Sequence, residues 1–397
     1  MSQLKVNTIR HTGATSDAVT LATDGTCTAK ITNNLSNRNL MINGAMNVAQ
    51  RGTSDTSDGQ GYTTVDRWYI SWAGLEEELQ RHQEQLTSSD TGPWEKGFRN
   101  AWKVTNGNQT GGQDANGLIN AQYAIEAQDL ATCGWDHKDP NSKITLSFWV
   151  KSSVAQTFYG YLATSDGTVQ GYSFSYALSA NTWTKVTKTI PGNSNITIDN
   201  NNGEGLRIYL PLFVGTDKSD SGNTEDTWAA YSGSSRTKDW TTSASSWYNT
   251  NNATWHLTGI QLEVGDYATE FEHRSFGDEL ARCHRYYYRL KNDSGSADGH
   301  WYGVGQCDST TQLRGAVTLP HMRVAPDVFD DTETASDYKV WTTGNTTTTC
   351  SARPGVNSLS TSACRLTFTV SSGLTGGQAG CFRSGSTDSY LGWGAEL

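Results

Sequence analysis

The aromatic side chains are the residues of this sequence best equipped to hold a ligand. The 397-residue chain contains 14 tryptophans and 17 tyrosines. Their flat faces stack on sugar rings, and neighbouring Asn, Asp and Gln side chains can hydrogen-bond the hydroxyl groups. Most tryptophans of a folded chain lie in its core, so the better candidates are those in the Gly- and Ser-rich last region. We therefore predict a ligand-binding set of Trp301, Tyr302, Trp341, Tyr390 and Trp393.

Acid–base and covalent catalysis have weaker support in the sequence. There is no GxSxG, HExxH or Gly-rich phosphate loop ending in Lys-Ser/Thr, and the 8 histidines are dispersed. Sugar cleavage needs only two carboxylates, and closely spaced acidic residues occur at 76–78, 263 and 266, 270 and 272, and 330 and 331. Proximity in sequence does not place two carboxylates across a cleft, and Glu263 is expected to face water or a cation. We predict no enzymatic activity and no catalytic residue.

Metal and disulfide chemistry is also weakly indicated. We predict no metal ligand and no cofactor. A structural calcium ion is left open, because the Asp-rich segment 215–226 offers oxygen atoms without the spacing of an EF-hand. The 7 cysteines form no CxxC pair, which argues against zinc. Most of them are expected to be reduced, and a disulfide among Cys350, Cys364 and Cys381 is left open.

The composition limits the class of partner. Charged residues make up 18% of the chain and the net charge is -10, which argues against nucleic acid and against anionic lipid. The first residues, MSQLKVNTIRHTG, lack the apolar segment of a signal peptide, and no apolar run approaches a membrane span. We therefore expect synthesis in a cytoplasm, with no membrane insertion.

Hydrophobic patterning predicts a mainly β chain with four regions. Residues 1–38 form short apolar pulses, which predict an arm that packs on other chains, the alternative being a disordered tail. Residues 39–274 contain alternating strand patterns such as ITLSFWVKSS and GYSFSYAL, which predict an antiparallel sandwich of the jelly-roll type. In this region, LEEELQRHQEQL (75–86) has leucine spacings compatible with a short helix. Residues 294–397 predict a second β-sandwich.

Between the two β regions, residues 275–293 predict a connecting helix. Ser275 is a suitable N-cap, with Asp278 three residues later. Leu280, Cys283 and Tyr287 fall on one face, and the pattern has room for about four turns. Such a helix is marginal alone and needs packing partners.

Several segments resemble tail fibres and related receptor-binding proteins of tailed bacteriophages, particularly marine ones. LKVNTIRHTGATSDAVTL is similar to their virion-proximal arm, and NLMINGAMNVAQRG with YTTVDRW is similar to the start of a jelly roll like that of carbohydrate-binding modules. ITLSFWVKSS is similar to a central strand of that jelly roll. The most specific segment is GIQLEVGDYATEFEHRSFGDELARCHRYYYRL (259–290), and VTLPHMRVAPDV (317–328) looks like the start of their terminal domain.

The resemblance implies a homotrimer that is attached through its arm to other tail or head proteins of the virion and recognises a bacterial surface polysaccharide. Leu280, Cys283 and Tyr287 would then face the three-fold axis. The function predicted is a trimeric tail fibre or receptor-binding protein located in the virion, with 294–397 as the receptor-binding tip. A head fibre, adaptor or decoration protein is the alternative, and a polysaccharide-cleaving tailspike is less favoured.

Overall fold

Strands account for nearly all the regular structure of this chain. The computed structural model describes residues 5–15, 17–29, 37–57, 59–109, 114–238, 246–344 and 346–397. Contacts divide the chain into two compact units, Met1–Arg38 and Asn39–Leu397. The prediction of a mainly β chain built from antiparallel sheets is confirmed.

The first unit contains one small antiparallel sheet of three strands: β1 (Thr8–Ile9), β2 (Val19–Leu21) and β3 (Cys27–Ala29). No side chain that the structure describes between residues 5 and 27 is buried, as expected for apolar residues too sparse to form a core. Residues 1–4, 16 and 30–36 of the predicted arm lie outside the described residues.

The second unit begins with a sandwich of two six-stranded antiparallel sheets. Its strands are β4 (Ser54–Asp55), β5 (Tyr69–Ala73), β6 (Gln80–Gln85), β7 (Asn100–Thr105), β8 (Leu118–Glu126), β9 (Lys143–Ser152), β10 (Gln156–Thr164), β11 (Gln170–Leu178), β12 (Thr184–Pro191), β13 (Glu204–Val214), β14 (Trp228–Ala230) and β15 (Thr254–Val264), with helix α1 (Ala127–Thr132) after β8. The strand orders are β14-β11-β10-β13-β8-β5 and β12-β9-β15-β7-β6-β4.

Alternation along the strands places the core between these two sheets. In β9, Ile144, Leu146, Phe148 and Val150 are all fully buried, as their spacing of two predicts. They belong to one apolar cluster with residues of β8, β10, β11 and β13 from the opposite sheet. The sandwich therefore has a continuous interior, and the outward faces of its sheets are left for other contacts.

The last part of the chain forms a second pair of sheets. Its elements are α2 (Phe276–Cys283), β16 (Tyr287–Lys291), β17 (Trp301–Cys307), β18 (Gln312–Thr318), β19 (Val328–Asp331), a 3₁₀ turn (Ala335–Asp337), β20 (Tyr338–Thr342), β21 (Thr346–Thr349), β22 (Gly355–Asn357), β23 (Ala363–Thr369), β24 (Ala379–Ser384) and β25 (Tyr390–Gly394). The sheet orders are β16-β25-β19 and β21-β20-β24-β17-β18-β23-β22. Both sheets contribute to one apolar cluster that includes Phe368, Phe382 and Trp393.

The connecting helix is shorter than the sequence pattern predicts. Ser275 does cap it, because its hydroxyl accepts a hydrogen bond from the Asp278 amide at 3.2 Å. The helix ends at Cys283, and Tyr287–Lys291 is a strand that pairs along its full length with β25. The prediction of a four-turn helix within 275–293 is wrong. Buried backbone groups need hydrogen-bond partners, and those of Tyr287–Lys291 find them on the distant strand β25 and not within a helix.

Residues 75–86 are likewise not helical. Their second half is β6, which lies between β7 and β4 in the sheet. Leu79 and Leu86 do not share the face of a helix. They flank β6, and both side chains are buried. Tertiary pairing overrides a local helical preference here.

Charged side chains join the connecting segment to the first sandwich. The Arg285 guanidinium donates two hydrogen bonds of 2.7 Å to the carboxylate of Glu126, which also accepts one from the Tyr286 hydroxyl at 2.5 Å. Arg67 is fully buried, lies 3.4 Å from the Tyr286 ring centroid and pairs with Glu396 at 2.7 Å. The segment that follows α2 is therefore held in one position against the sandwich.

This packing corrects two of the residues predicted at a three-fold axis. Cys283 is 0% and Tyr287 is 1% exposed within a single chain, and the Tyr287 hydroxyl donates to Asp330 at 2.9 Å. Neither side chain has surface left for a partner chain. Leu280 keeps partial exposure on α2, so it alone of the three can contact another copy.

Candidate functional site

Two tryptophans meet on the outward face of the seven-stranded sheet. Trp301 begins β17, Trp341 lies on β20, and β24 runs between these strands. Their ring centroids are 5.7 Å apart, with 31° between the ring planes. Trp301 is 52% exposed and Trp341 is partly exposed. We call this pair the indole platform.

Strand register explains why the two rings meet. Trp301 is paired with Arg383 of β24, and Arg383 is paired with Lys339 of β20, so these three side chains form one row on the outward face. Trp341 is paired with Cys381 in the adjacent row. Facing residues on paired strands are neighbours, so the diagonal between the rows brings the indoles together.

Polar groups border the platform on one side. The Lys339 ammonium lies 2.9 Å from the Asp298 carboxylate, and the Arg383 Nε donates to the Asp298 backbone oxygen at 2.8 Å. The hydrogen bond from Lys339 holds the pKa of Asp298 below its ordinary value. The platform therefore combines an apolar surface with fixed charges, the combination that binding sites for polar ligands use.

Two of the predicted ligand residues are core residues instead. Tyr302 is 4% exposed and its hydroxyl hydrogen-bonds Ser389 at 2.9 Å. Trp393 is 0% exposed and packs on Phe329. The prediction for both is wrong, because each alternates onto the inward face of its strand.

Tyr390 lies in a different place from the indole platform. It lines a cleft of about 990 Å³ together with Arg51, Arg289, Asp330 and Arg353. The Arg289 guanidinium lies 3.3 Å from the Tyr390 ring centroid, which covers one face of this ring. Arg353 binds Asp331, and Arg51 binds Glu396. Both of these arginines are therefore already engaged by carboxylates.

A second aromatic surface was not predicted from the sequence. On the outward face of the first sandwich, Tyr161 and Tyr209 stack at 4.3 Å, and Tyr231 lies 6.3 Å from Tyr161. Tyr161 and Tyr231 line a cleft of about 240 Å³ together with Ser173 and Arg236. The Tyr161 hydroxyl is buried and has no hydrogen-bond partner among the residues that the structure describes.

A signal for the outward position of Tyr209 was present in the sequence. The run LRIYLPLFVG reads as almost continuously apolar, which suggests a strand covered on both sides. Within it, however, Arg207 and Tyr209 alternate with Leu206, Ile208 and Leu210, and only these last three are fully buried. That alternation indicates a strand with one outward face.

Three of the candidate acidic residues serve structural roles. Glu263 is 2% exposed and accepts hydrogen bonds from the amide and hydroxyl of Thr269 at 2.8 and 2.6 Å, so the expectation that it faces water is wrong. Asp330 and Asp331 accept bonds from Tyr287 and Arg353. Among the described residues no group of three or more His, Cys, Asp or Glu side chains could hold a metal ion.

All seven cysteines lie among the described residues, and none of them is paired. Of the helices that the structure describes, none has the length and apolarity to cross a bilayer.

Comparison with known proteins finds likeness only among solved structures. No protein-family model matches the chain, and no curated protein does. A family 4 carbohydrate-binding module is 11% identical, with 56% of this chain and 98% of that chain covered and a TM-score of 0.28. A family 11 module of a Clostridium thermocellum cellulase is 12% identical, covering 55% and 97%, with a TM-score of 0.26. The N-terminal cellulose-binding domain of a Cellulomonas fimi β-1,4-glucanase is 13% identical, covering 56% and 99%, with a TM-score of 0.25.

These likenesses are too distant to assign a ligand to this chain. Fold and site together define a β-sandwich protein that carries an exposed aromatic platform on one sheet face.

Proposed function

We propose that this protein is a non-enzymatic glycan-binding protein, and that its ligand is a bacterial surface polysaccharide bound at the indole platform. One observation carries the proposal: Trp301 keeps 52% of its surface exposed beside a second, partly exposed indole. Five other tryptophans are at most 1% exposed (Trp68, Trp102, Trp247, Trp255 and Trp393). Among the described residues, Trp301 is the one tryptophan that is exposed, and an exposed indole with a second one beside it is suited to stacking on sugar rings.

The proposed setting is the virion of a tailed phage, as a trimeric tail fibre or receptor-binding protein. The resemblance of residues 259–290 and 317–328 to such fibres supports this setting. Residues 1–38 would attach to other virion proteins, since none of their described side chains is buried and they form no core. Three platforms on one trimer would gain avidity from effective concentration even when each binds a sugar weakly.

We also propose that the protein does not hydrolyse the polysaccharide that it binds. Hydrolysis of a glycosidic bond needs two carboxyl groups flanking that bond. The acidic candidates Glu263, Asp330 and Asp331 are instead engaged by Thr269, Tyr287 and Arg353, which favours adhesion over cleavage. A head fibre, adaptor or decoration protein is the second candidate, because the exposed arm suits attachment at any site on the particle.

The test uses the full-length protein with host cells and purified host polysaccharide. We expect fluorescently labelled protein to bind the cells, free polysaccharide to compete, and no oligosaccharide to be released. Release of oligosaccharide would overturn the adhesin proposal in favour of a tailspike. Failure to bind cells would favour the second candidate, and gold-labelled antibody against residues 294–397 would then locate the protein on the head or the tail.

A further inference from the structure

We infer that the sugar bound at the indole platform carries an anionic group, a carboxylate or a sulfate, and that Arg383 and Lys339 hold that group. This inference rests on the proposed function and adds the chemical class of the ligand. Arg383 and Lys339 belong to no sequence motif that would have identified them as ligand-binding residues.

The first support is the position of Arg383 and Lys339 beside Trp301. Trp301, Arg383 and Lys339 are facing residues on three consecutive strands, β17, β24 and β20. Facing side chains of paired strands have Cβ atoms about 5 Å apart, and a sugar ring is of similar width. A ring stacked on Trp301 therefore places its substituents above Arg383.

The second support is the hydrogen bonding of the Arg383 guanidinium. Its Nε donates to the Asp298 backbone oxygen, which fixes the direction of the group. No acceptor within the described parts of the chain bonds to its Nη1 or Nη2 atoms. A guanidinium presents parallel donors that match the two oxygens of a carboxylate or sulfate, so Arg383 is oriented and still has donors to offer.

The third support is the balance of charge. Asp298 is the carboxylate that pairs with this group of cations, and its low pKa keeps it ionised at neutral pH. Lys339 and Arg383 together exceed it by one positive charge. Further along the same face, Arg314 is neutralised by Asp308 at 2.7 Å. The excess charge thus lies beside the indoles, on a chain whose net charge is -10.

An anionic sugar fits this arrangement better than an anionic nucleic acid. Both could stack on an indole and approach Arg383. A nucleic acid would extend its repeated charges over the rest of the surface, where the net charge of -10 repels it. A polysaccharide that carries a charge on only some of its sugars would meet the local excess with a smaller penalty.

The test compares polymers that differ in charge and share a backbone. Full-length protein is run by affinity electrophoresis through gels that contain half-esterified or fully methyl-esterified polygalacturonate, and sparsely sulfated dextran or dextran. We expect retardation at least about fivefold stronger for the charged member of one pair, and the pair that shows it distinguishes carboxylate from sulfate. Equal retardation within both pairs, or no retardation by either charged polymer, would overturn the inference.

Substitutions then locate the effect. Arg383→Gln should abolish the preference for the charged polymer, whereas Asp298→Asn should strengthen it, since it removes the competing carboxylate. Lys138→Gln removes the same charge as Arg383→Gln from an exposed turn of the first sandwich and should change nothing. A preference that survives Arg383→Gln, or that falls equally in Lys138→Gln, would refute the assignment to this cluster.

Two further outcomes separate the inference from the proposed function. Trp301→Ala should weaken retardation by charged and neutral polymers alike; if it binds both as the original protein does, the proposed function fails. If Trp301→Ala loses binding while Arg383→Gln keeps the charge preference, the proposed function stands and the inference fails. Stronger retardation by polyuridylate than by both charged polysaccharides would overturn the inference in favour of nucleic acid.

Discussion

Replacing Trp301 with alanine should weaken glycan binding about tenfold while leaving the fold intact. Trp301 is 52% exposed, which leaves about 130 Å² of its surface open if a tryptophan side chain presents about 250 Å². A sugar stacked on one face would cover about half of that, about 65 Å². At about 25 cal/mol per Å² this burial contributes about 1.6 kcal/mol. Each 1.4 kcal/mol is about a tenfold change in affinity.

The assay is equilibrium binding of the full-length variant to host polysaccharide, by isothermal titration or biolayer interferometry. Trp301→Phe keeps a smaller aromatic face and should lose less affinity than Trp301→Ala. Tyr267, 59% exposed in the first sandwich, provides a matched control, and Tyr267→Ala should bind as the original protein does. Unfolding by urea should change by about 1 kcal/mol or less, as for other half-exposed positions. Unchanged affinity of folded Trp301→Ala would refute the stacking argument.

Three other perturbations test the assignments of buried and partly exposed residues. Trp393→Ala should cost about 3–5 kcal/mol in urea unfolding because its indole is fully buried, and a loss below 1 kcal/mol would contradict its place in the core. Burial alone would raise the pKa of Glu126, but hydrogen bonds from Arg285 and Tyr286 outweigh burial and hold the pKa below 4.5. The ionised Glu126 should therefore stabilise the folded protein fully above pH 4.5, and this stabilisation should be lost as the pH falls below that value. Glu126→Gln should flatten this part of the pH profile of stability, and an unchanged profile would exclude Glu126 as its source. Leu280→Asp should prevent assembly of the proposed trimer in light scattering, and a trimeric variant would contradict a role for α2 in assembly.

Local patterns predicted the parts of the fold in which neighbours in sequence determine the outcome. The alternation of Ile144, Leu146, Phe148 and Val150 identified an inward strand face, because a period of two is a property of the extended backbone itself. Ser275 identified the start of α2 for a similar reason, since a cap acts within three residues. The exposure of Trp301 in the Gly- and Ser-rich region also agrees with the sequence analysis.

Distant pairing decided what local patterns could not. Tyr287–Lys291 has the composition to continue a helix, and its strand conformation depends on β25, about a hundred residues later. Tyr302 and Trp393 share the residue types of a ligand site, yet their faces of β17 and β25 turn inward. The cleft around Tyr161 joins β10, β11 and the segments on both sides of β14, so no single stretch of sequence contains it.

The sequence by itself determined that this chain would be rich in strands and which residues would line the interior of its first sandwich. It also singled out aromatic side chains as the candidates for ligand binding. Those properties follow from composition and from periodicity along a few residues. Only the tertiary structure decided which aromatic rings remain exposed and which charges border them. Trp301, Trp341 and Arg383 are separated by about forty residues each along the chain and become neighbours through the order of β17, β24 and β20. Strand order is set by the packing of the whole sheet, and no single segment encodes it.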